Sequence, residues 1–167
     1  MDVRIRSETA EDAAAIETVT IEAFAAAIHT DHREHLILDA LRKARQLTVS
    51  LVAELDSELV GHIAASPVTI SDGSPDWVGL GPVSVMRQHQ RRGIGSALVH
   101  EALRHLVEAR AAGCVVLGEP AYYRRFGFRV REGLTLAGVP REYFQAIAFR
   151  DEFPRGAVRY HVAFAAT

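Results

Sequence analysis

Apolar and polar positions alternate from Val3 to Ser7 ("VRIRS"), the pattern of a half-buried strand, and Thr9 with Asp12 three residues later resembles a capping box. A helix is therefore predicted across "EDAAAIETVTIEAFAAA", where Ala14, Ile16, Val19 and Phe24 recur at near-helical spacing. Thr30 is the expected cap of a second helix, "DHREHLILDALRKAR", with Leu36, Ile37, Ala40 and Leu41 on its apolar face. "LTVSLVAEL" and "LVGHIAASPVTI" read as an antiparallel hairpin joined through "DSE" at 56–58, with Pro67 near the end of the second strand. After a polar loop, "WVGLGPVSV" is β-like in Trp77, Val78, Val83 and Val85, but Gly79, Gly81 and Pro82 interrupt it.

"SALVHEALRHLVEARAAG" carries the clearest helical face, formed by Leu98, Val99, Ala102, Leu103 and Leu106, and Gly113 is its expected stop. "CVVLG" reads as a short buried strand, and a short helix in "EPAYYRRF" precedes "GFRV". "YFQAIAF" and "AVRYHVAFA" alternate as two closing strands. Strand, two helices, three strands, helix, strand, helix and further strands predict an α/β (α+β) fold with a mixed sheet, in one domain over residues 1–167.

Residues 90–98, "QRRGIGSAL", place two arginines and two glycines at the mouth of the strongest predicted helix. The first N–H groups of a helix lack intrahelical acceptors and carry partial positive charge, so they suit an anion such as pyrophosphate. Gly93 and Gly95 permit close backbone approach, and Arg91 and Arg92 add full charge. The loop lacks the Gly-Lys-Ser/Thr of a nucleotide hydrolase, and Leu98 stands where a dinucleotide fingerprint needs a small residue. Glycine spacing alone fits a plain strand-to-helix turn with solvated arginines equally well. Pro82 shifts the balance, because proline cannot donate to a sheet ladder and so marks a bulge or a parting of strands. If the strand ending at Val85 splays from "CVVL", the freed backbone can pair with an extended amide ligand such as pantetheine, whose pyrophosphate falls at the helix mouth.

The balance of 19 Lys and Arg against 21 Asp and Glu gives a net charge of −2 and advertises neither nucleic acid nor membrane as partner. The single cysteine, Cys114, reads as a buried core thiol in a reducing compartment. No signal-like apolar region and nothing near the roughly 18 apolar residues of a membrane span are present, so a soluble, cytoplasmic protein is expected.

"VSVMRQHQRRGIGSALV" resembles the acetyl-CoA-binding motif of the GNAT superfamily of N-acetyltransferases, with Gln90, Gly93 and Gly95 on the pattern. "AYYRRFGF" is similar to the family's Tyr-x-x-x-Gly-Phe segment, with Tyr123, Gly127 and Phe128 on it. "WVGLGPVSV" and "LGEPAYYRRFGF" most resemble a bacterial branch of acetyltransferases of unassigned substrate. The resemblance implies a single-domain GNAT fold, a mostly antiparallel sheet with a splayed central strand pair and flanking helices. It implies that the backbone of Val83, Ser84 and Val85 holds the pantetheine arm and polarises the thioester, and that Arg91, Arg92, Gly93, Ile94, Gly95, Ser96 and Ala97 bind the pyrophosphate. Acetyl transfer to a primary amine by direct attack follows, with Tyr123 giving a proton to the CoA thiolate. Tyr122 competes for that role, and a tyrosine packed on the core is the plainer reading of either.

The attacking amine must be neutral, and Glu119 is the first candidate for its base, Asp76 the second; each also reads as a solvated or capping carboxylate, and a dedicated base is not required. His29, His32 and His35 recur every third residue, yet without further ligands nearby they read as solvent-facing, and no metal is expected. His89 abuts the phosphate loop and reads as a turn residue that can reach a phosphate. "RRF" with Arg129 and Arg131 reads as a solvated basic face. Leu36, Ile37 and Leu41 belong to the core or to an acceptor wall and dimer contact. Glu22, Asp31 and Glu34 can attract a cationic amine but also read as the ordinary acidic face of a helix; the acceptor is left open as a small molecule, a peptide or a protein, and a homodimer is the prior expectation for assembly. Two rival readings remain: a non-catalytic acyl-CoA sensor or interaction module, and transfer of an acyl group other than acetyl.

Overall fold

The computed structural model describes residues 2–28, 30–150 and 152–167. Along the chain run β1 (Val3–Ser7), α1 (Ala13–Phe24), α2 (Glu34–Lys43), β2 (Val49–Leu55), β3 (Glu58–Ile70), β4 (Trp77–Val85), α3 (Ile94–Glu108), β5 (Gly113–Leu117), α4 (Pro120–Arg124), β6 (Leu134–Thr135), β7 (Phe144–Ala148) and β8 (Gly156–Tyr160). The main sheet has the order β1-β2-β3-β4-β5-β7, antiparallel except for the parallel pair β4 and β5. β8 pairs antiparallel with the far end of β3 and parallel with the two-residue β6.

Strand alternation decides which helix covers which face. Leu51, Ala53, Ile63 and Ala65 pack with Leu98, Val99, Ala102 and Leu106 of α3, whereas the intervening Val52 and Ala64 pack with Ile16 of α1 and Leu38 of α2. The hairpin between β2 and β3 turns through Asp56 and Ser57, both with positive φ (51° and 67°), as a two-residue turn matched to strand twist requires. The Thr9 N–H donates to the Asp12 carboxylate at 2.6 Å, and a short 3₁₀ turn leads from there into α1.

Several boundaries differ from the sequence reading. Arg33, not Thr30, precedes the first residue of α2; the Thr30 hydroxyl instead bonds Glu34 and accepts from the His32 N–H. The buried residues of α2 are Leu38 and Leu41. α3 stops before Gly113: Arg110 takes a left-handed φ of 64°, and the Ala111 N–H reaches back to the Leu106 carbonyl at 3.0 Å. "GFRV" supplies only an isolated bridge between Arg129 and Ala146, and "VAFA" (Val162–Ala165) winds into a 3₁₀ turn after β8.

Gly113 opens β5, opposite Trp77 in the parallel ladder. A methyl group there would lie 2.3 Å from the Trp77 ring and 2.7 Å from the Ile147 carbonyl oxygen. Gly113→Ala should therefore destabilise the protein by about 1–3 kcal/mol, the usual cost of overpacking. The check is a lower denaturant midpoint with an unchanged m value.

Candidate active site

The parallel ladder between β4 and β5 runs from Trp77 with Gly113 to Leu80 with Val116 and ends there. On the other edge of β4 the register to β3 shifts: Leu80 faces Ala65, Val83 faces Ile63, and Gly81 and Pro82 together span the gap opposite Ala64. The residues that broke the β pattern in the sequence thus form a bulge at the point where β4 leaves β5. Beyond it, Val83, Ser84 and Val85 remain paired with β3 but have no strand on their other edge.

One half of the resulting cleft, about 570 Å³, lies between β4, the mouth of α3 and α4. Gly93 caps α3 with a φ of 83°, a left-handed conformation that favours glycine. The N–H groups of Ile94, Gly95 and Ser96 have no intrahelical acceptor by helix geometry. The Ala97 N–H already donates to the Gly93 carbonyl at 3.0 Å, so Ala97 is not a free donor. The Ile94 side chain is core, leaving only its backbone for the loop. Val83, Val85, Gln90, Arg91, Gly93, Gly95 and Ser96 line this half, whereas the Ser84 side chain is buried and Arg92 lies outside the lining. Gln90 donates from its side-chain amide to the Val85 carbonyl at 2.9 Å, so it ties the loop to the end of β4.

Arg125 belongs to this half, although its place in "RRF" reads as solvated. Its guanidinium stacks 4.5 Å from the Tyr122 ring centroid and donates to the Ser96 hydroxyl at 3.1 Å, bridging α4 to the mouth of α3. The detectable signal was its position three residues after Tyr122 on one helix. His89 also lines this half, with its Nδ1 buried and unpaired. Among the described residues the lining therefore holds Arg91, Arg125 and His89 and no acidic residue.

Tyr122 and Tyr123, with Val83, line both this half and a second one. Their rings meet edge to face, with centroids 5.0 Å apart. The Tyr122 hydroxyl sits over Gly95, 3.0 Å from where a methyl on that residue would lie, while the Tyr123 ring lies against Gly118 at the end of β5. Burial, with smaller contributions from Tyr122 and Cys114, raises the Tyr123 phenol to about 12.

The second half, about 960 Å³, opens beyond the parting strands between α1, α2 and the segments after β6 and β8. Among the described residues its lining includes Asp31, Glu34 and Glu119 but no Lys, Arg or His. Ile37 joins this wall, whereas Leu41 is core. Glu119 is exposed at the rim, immediately before α4. Asp76 lies away from the split: it precedes Trp77 at the opposite end of β4 and pairs with Arg150 at 3.4 Å. His29 lies outside the described residues, His32 is exposed, and His35 lines a separate crevice between α1 and α2. No group of three metal-ligating side chains occurs among the described residues, and no helix there is long and apolar enough to cross a membrane. Tyr160 and Phe164, which also line this half, were not singled out from the sequence, where they belong to an ordinary alternation.

A profile of the Acetyltransferase (GNAT) family matches residues 13–128. The protein named "Uncharacterized N-acetyltransferase YhbS" from Escherichia coli (strain K12) is 36% identical over 127 residues, covering 75% of this chain and 73% of that protein. A GNAT family acetyltransferase from Brucella melitensis, solved in complex with acetyl-CoA, has a TM-score of 0.88 at 47% identity over 98% of both chains. YhbS from Escherichia coli, solved in complex with CoA, also has a TM-score of 0.88, at 32% identity over 98% of this chain and 92% of that one. The family match takes in the splayed strand, the glycine loop and the Tyr-x-x-x-Gly-Phe segment alike, and this chain belongs to the GNAT family of acetyltransferases.

Proposed function

We propose that this chain, as one domain over residues 1–167, moves an acetyl group from acetyl-CoA to a primary amine by direct attack within the split cleft. The observation that carries the reading is the division of the cleft into a cationic half at the mouth of α3 and an acidic half beyond the parted strands. Phosphates suit the first half. Protonated amines are drawn to the second. The solved relatives with acetyl-CoA and CoA support the cosubstrate. The lone, buried Cys114 supports a cytoplasmic location.

In this reading the N–H groups of Ile94, Gly95 and Ser96, with Arg91 and Arg125, take the pyrophosphate, and Arg92 adds charge from nearby. The free edge of Val83, Ser84 and Val85 pairs with the pantetheine amides. Glu119, at the rim of the acidic half, takes the proton from the incoming ammonium, and the neutral amine attacks the acetyl carbonyl. As the new C–N bond forms and the C–S bond breaks, Tyr123 passes its proton to the departing thiolate, and the second proton that the nitrogen sheds in becoming an amide returns to the Tyr123 phenolate. The burial that raises the phenol also favours protonation of a thiolate in the same place. Cys114, a buried thiol nearby, is likewise pushed up by burial.

Gly95→Val would push a side chain into the Tyr122 hydroxyl and across the mouth of α3. CoA affinity, read by calorimetric titration, should fall roughly 100-fold, about 2.8 kcal/mol, with the melting temperature retained. Tyr123→Phe should lower kcat by roughly 10²–10⁴-fold while leaving acetyl-CoA affinity unchanged. Because burial raises the Tyr123 phenol to about 12, kcat/KM for the amine should rise with pH and show no descending limb near pH 10, where an ordinary tyrosine is half ionised. A falling limb below that value would assign proton donation to another group.

A further inference from the structure

Tyr160, the last residue of β8, reaches the vertex of the split from the side of the acidic half. It is opposite Val68 in the β3 ladder, and the tip of its ring lies over Gly79, where a methyl group would sit 3.2 Å from Cζ. Gly79 pairs with Val115 one residue before the last bridge between β4 and β5. Any side chain at 79 would displace the phenol, so the glycine that interrupts "WVGLGPVSV" makes room for this ring. Phe164 closes the other side edge-on, at 4.9 Å between centroids.

The hydroxyl is fully buried and has no hydrogen-bond partner. An unpaired buried hydroxyl is destabilising, and in folded proteins such groups are few. Of the other buried side-chain atoms without partners among the described residues, His62 Nδ1, Ser66 Oγ and Ser84 Oγ line neither half of the cleft, and His89 Nδ1 belongs to the cationic half. Tyr160 is thus the one unpaired buried group that lines the acidic half, in a wall that also includes Leu80, Gly81 and Tyr123.

We propose that Tyr160 is a second substrate-facing phenol of this active site, whose oxygen accepts a hydrogen bond from an N–H of the attacking amine and aims the nitrogen lone pair at the acetyl carbon. The inference rests on the acetyl-transfer reading above. Burial raises the Tyr160 phenol, with smaller contributions from Cys114 and Tyr123, so it stays neutral and takes no proton from the amine. As the C–N bond forms, positive charge grows on nitrogen and the N–H becomes a stronger donor. The hydrogen bond therefore tightens in the transition state relative to the bound amine, which is the condition for a rate effect.

Tyr160→Phe removes the oxygen and keeps the ring against Gly79 and Phe164. Three measurements on the full chain separate the outcomes: thermal unfolding, calorimetric titration with acetyl-CoA, and acceptor-dependent thiol release with benzylamine as probe, extended to other primary amines. Benzylamine offers a cation to the acidic rim and a ring to the apolar wall. The expected result is a melting temperature unchanged or higher, acetyl-CoA affinity within twofold of the wild type, and kcat/KM for the amine reduced at least tenfold, mostly in kcat. An unpaired hydroxyl of purely structural origin predicts the same melting behaviour with an unchanged rate, and that result overturns the proposal. A wild-type protein that binds acetyl-CoA but releases no thiol with any amine overturns the acetyl-transfer reading itself, and the role of Tyr160 falls with it.

Discussion

Beyond Leu80, β4 has a hydrogen-bonding partner on one side only, and the site depends on that loss of pairing. Unpaired backbone groups inside a protein are costly, so a strand that leaves its neighbour must expose its edge to solvent or a ligand. The chain imposes the departure locally. Gly81 and Pro82 occupy the bulge, and proline supplies no N–H with which the ladder could continue. Upstream, the seat of Trp77 over Gly113 keeps the same two strands in parallel register, so the parting begins from a fixed point.

That geometry also explains the division of charge. The turn after β4 delivers the chain directly into α3, so the positive end of the helix faces the freed strand edge, and Arg91 and Arg125 reinforce it. The acidic side chains come from the entry to α2 and the residue before α4, on the other side of the parted strands. Between the two halves the wall is aromatic, formed by Tyr122 and Tyr123 with Phe126 and Phe128 behind them. Burial raises the Tyr123 phenol within this wall, and the charged side chains lie to either side of it.

Features carried by a single residue's covalent constraint were legible from the sequence. Pro82 marked the bulge, the two glycines marked the mouth of α3, and strand alternation placed the core faces. What escaped depended on contacts made across the fold. Arg110 ends α3 in a left-handed conformation that glycine would take more readily, which made Gly113 look like the stop. Thr30 spends its hydroxyl on Glu34, a side-chain contact that capping preference does not anticipate. Arg125 gains its place from stacking on Tyr122 and bonding Ser96, 29 positions away. Asp76 and Glu119 look equivalent as strand-flanking carboxylates, and only the direction of β4 separates the one at its closed end from the one near its open end. Tyr160 sits in a strand too ordinary to attract notice, and its importance comes from a glycine 81 positions earlier in a different strand.

The wall of the acidic half is held by a separate set of polar contacts at the N-terminal end of the sheet. Arg6 donates to both Asp12 carboxylate oxygens at 2.8 and 3.0 Å and also pairs with Glu54, tying the entry to α1 onto β1 and β2; hydrogen bonds from Arg6 hold Asp12 at about 2. Arg42 of α2 reaches Glu8 through two bonds of 2.9 and 3.1 Å, and Glu8 also meets Ser50, which bonds the buried His62 at 2.8 Å. Burial alone would raise Glu8, but His62 at 3.7 Å and the bonds from Arg42 and Ser50 outweigh it and leave the carboxyl well below its ordinary range. Ion pairs of this kind return little net stability after desolvation, yet each disfavours orientations of the helices that would leave a charge unpaired. They act at the start of α1 and the end of α2. The opposite ends, where Phe24, Asp31 and Glu34 face the acidic half, have no comparable tie to the sheet among the described side-chain bonds. The fold thus fixes the cationic half through backbone geometry in β4 and α3, and leaves the acidic half to side chains whose replacement does not disturb that geometry.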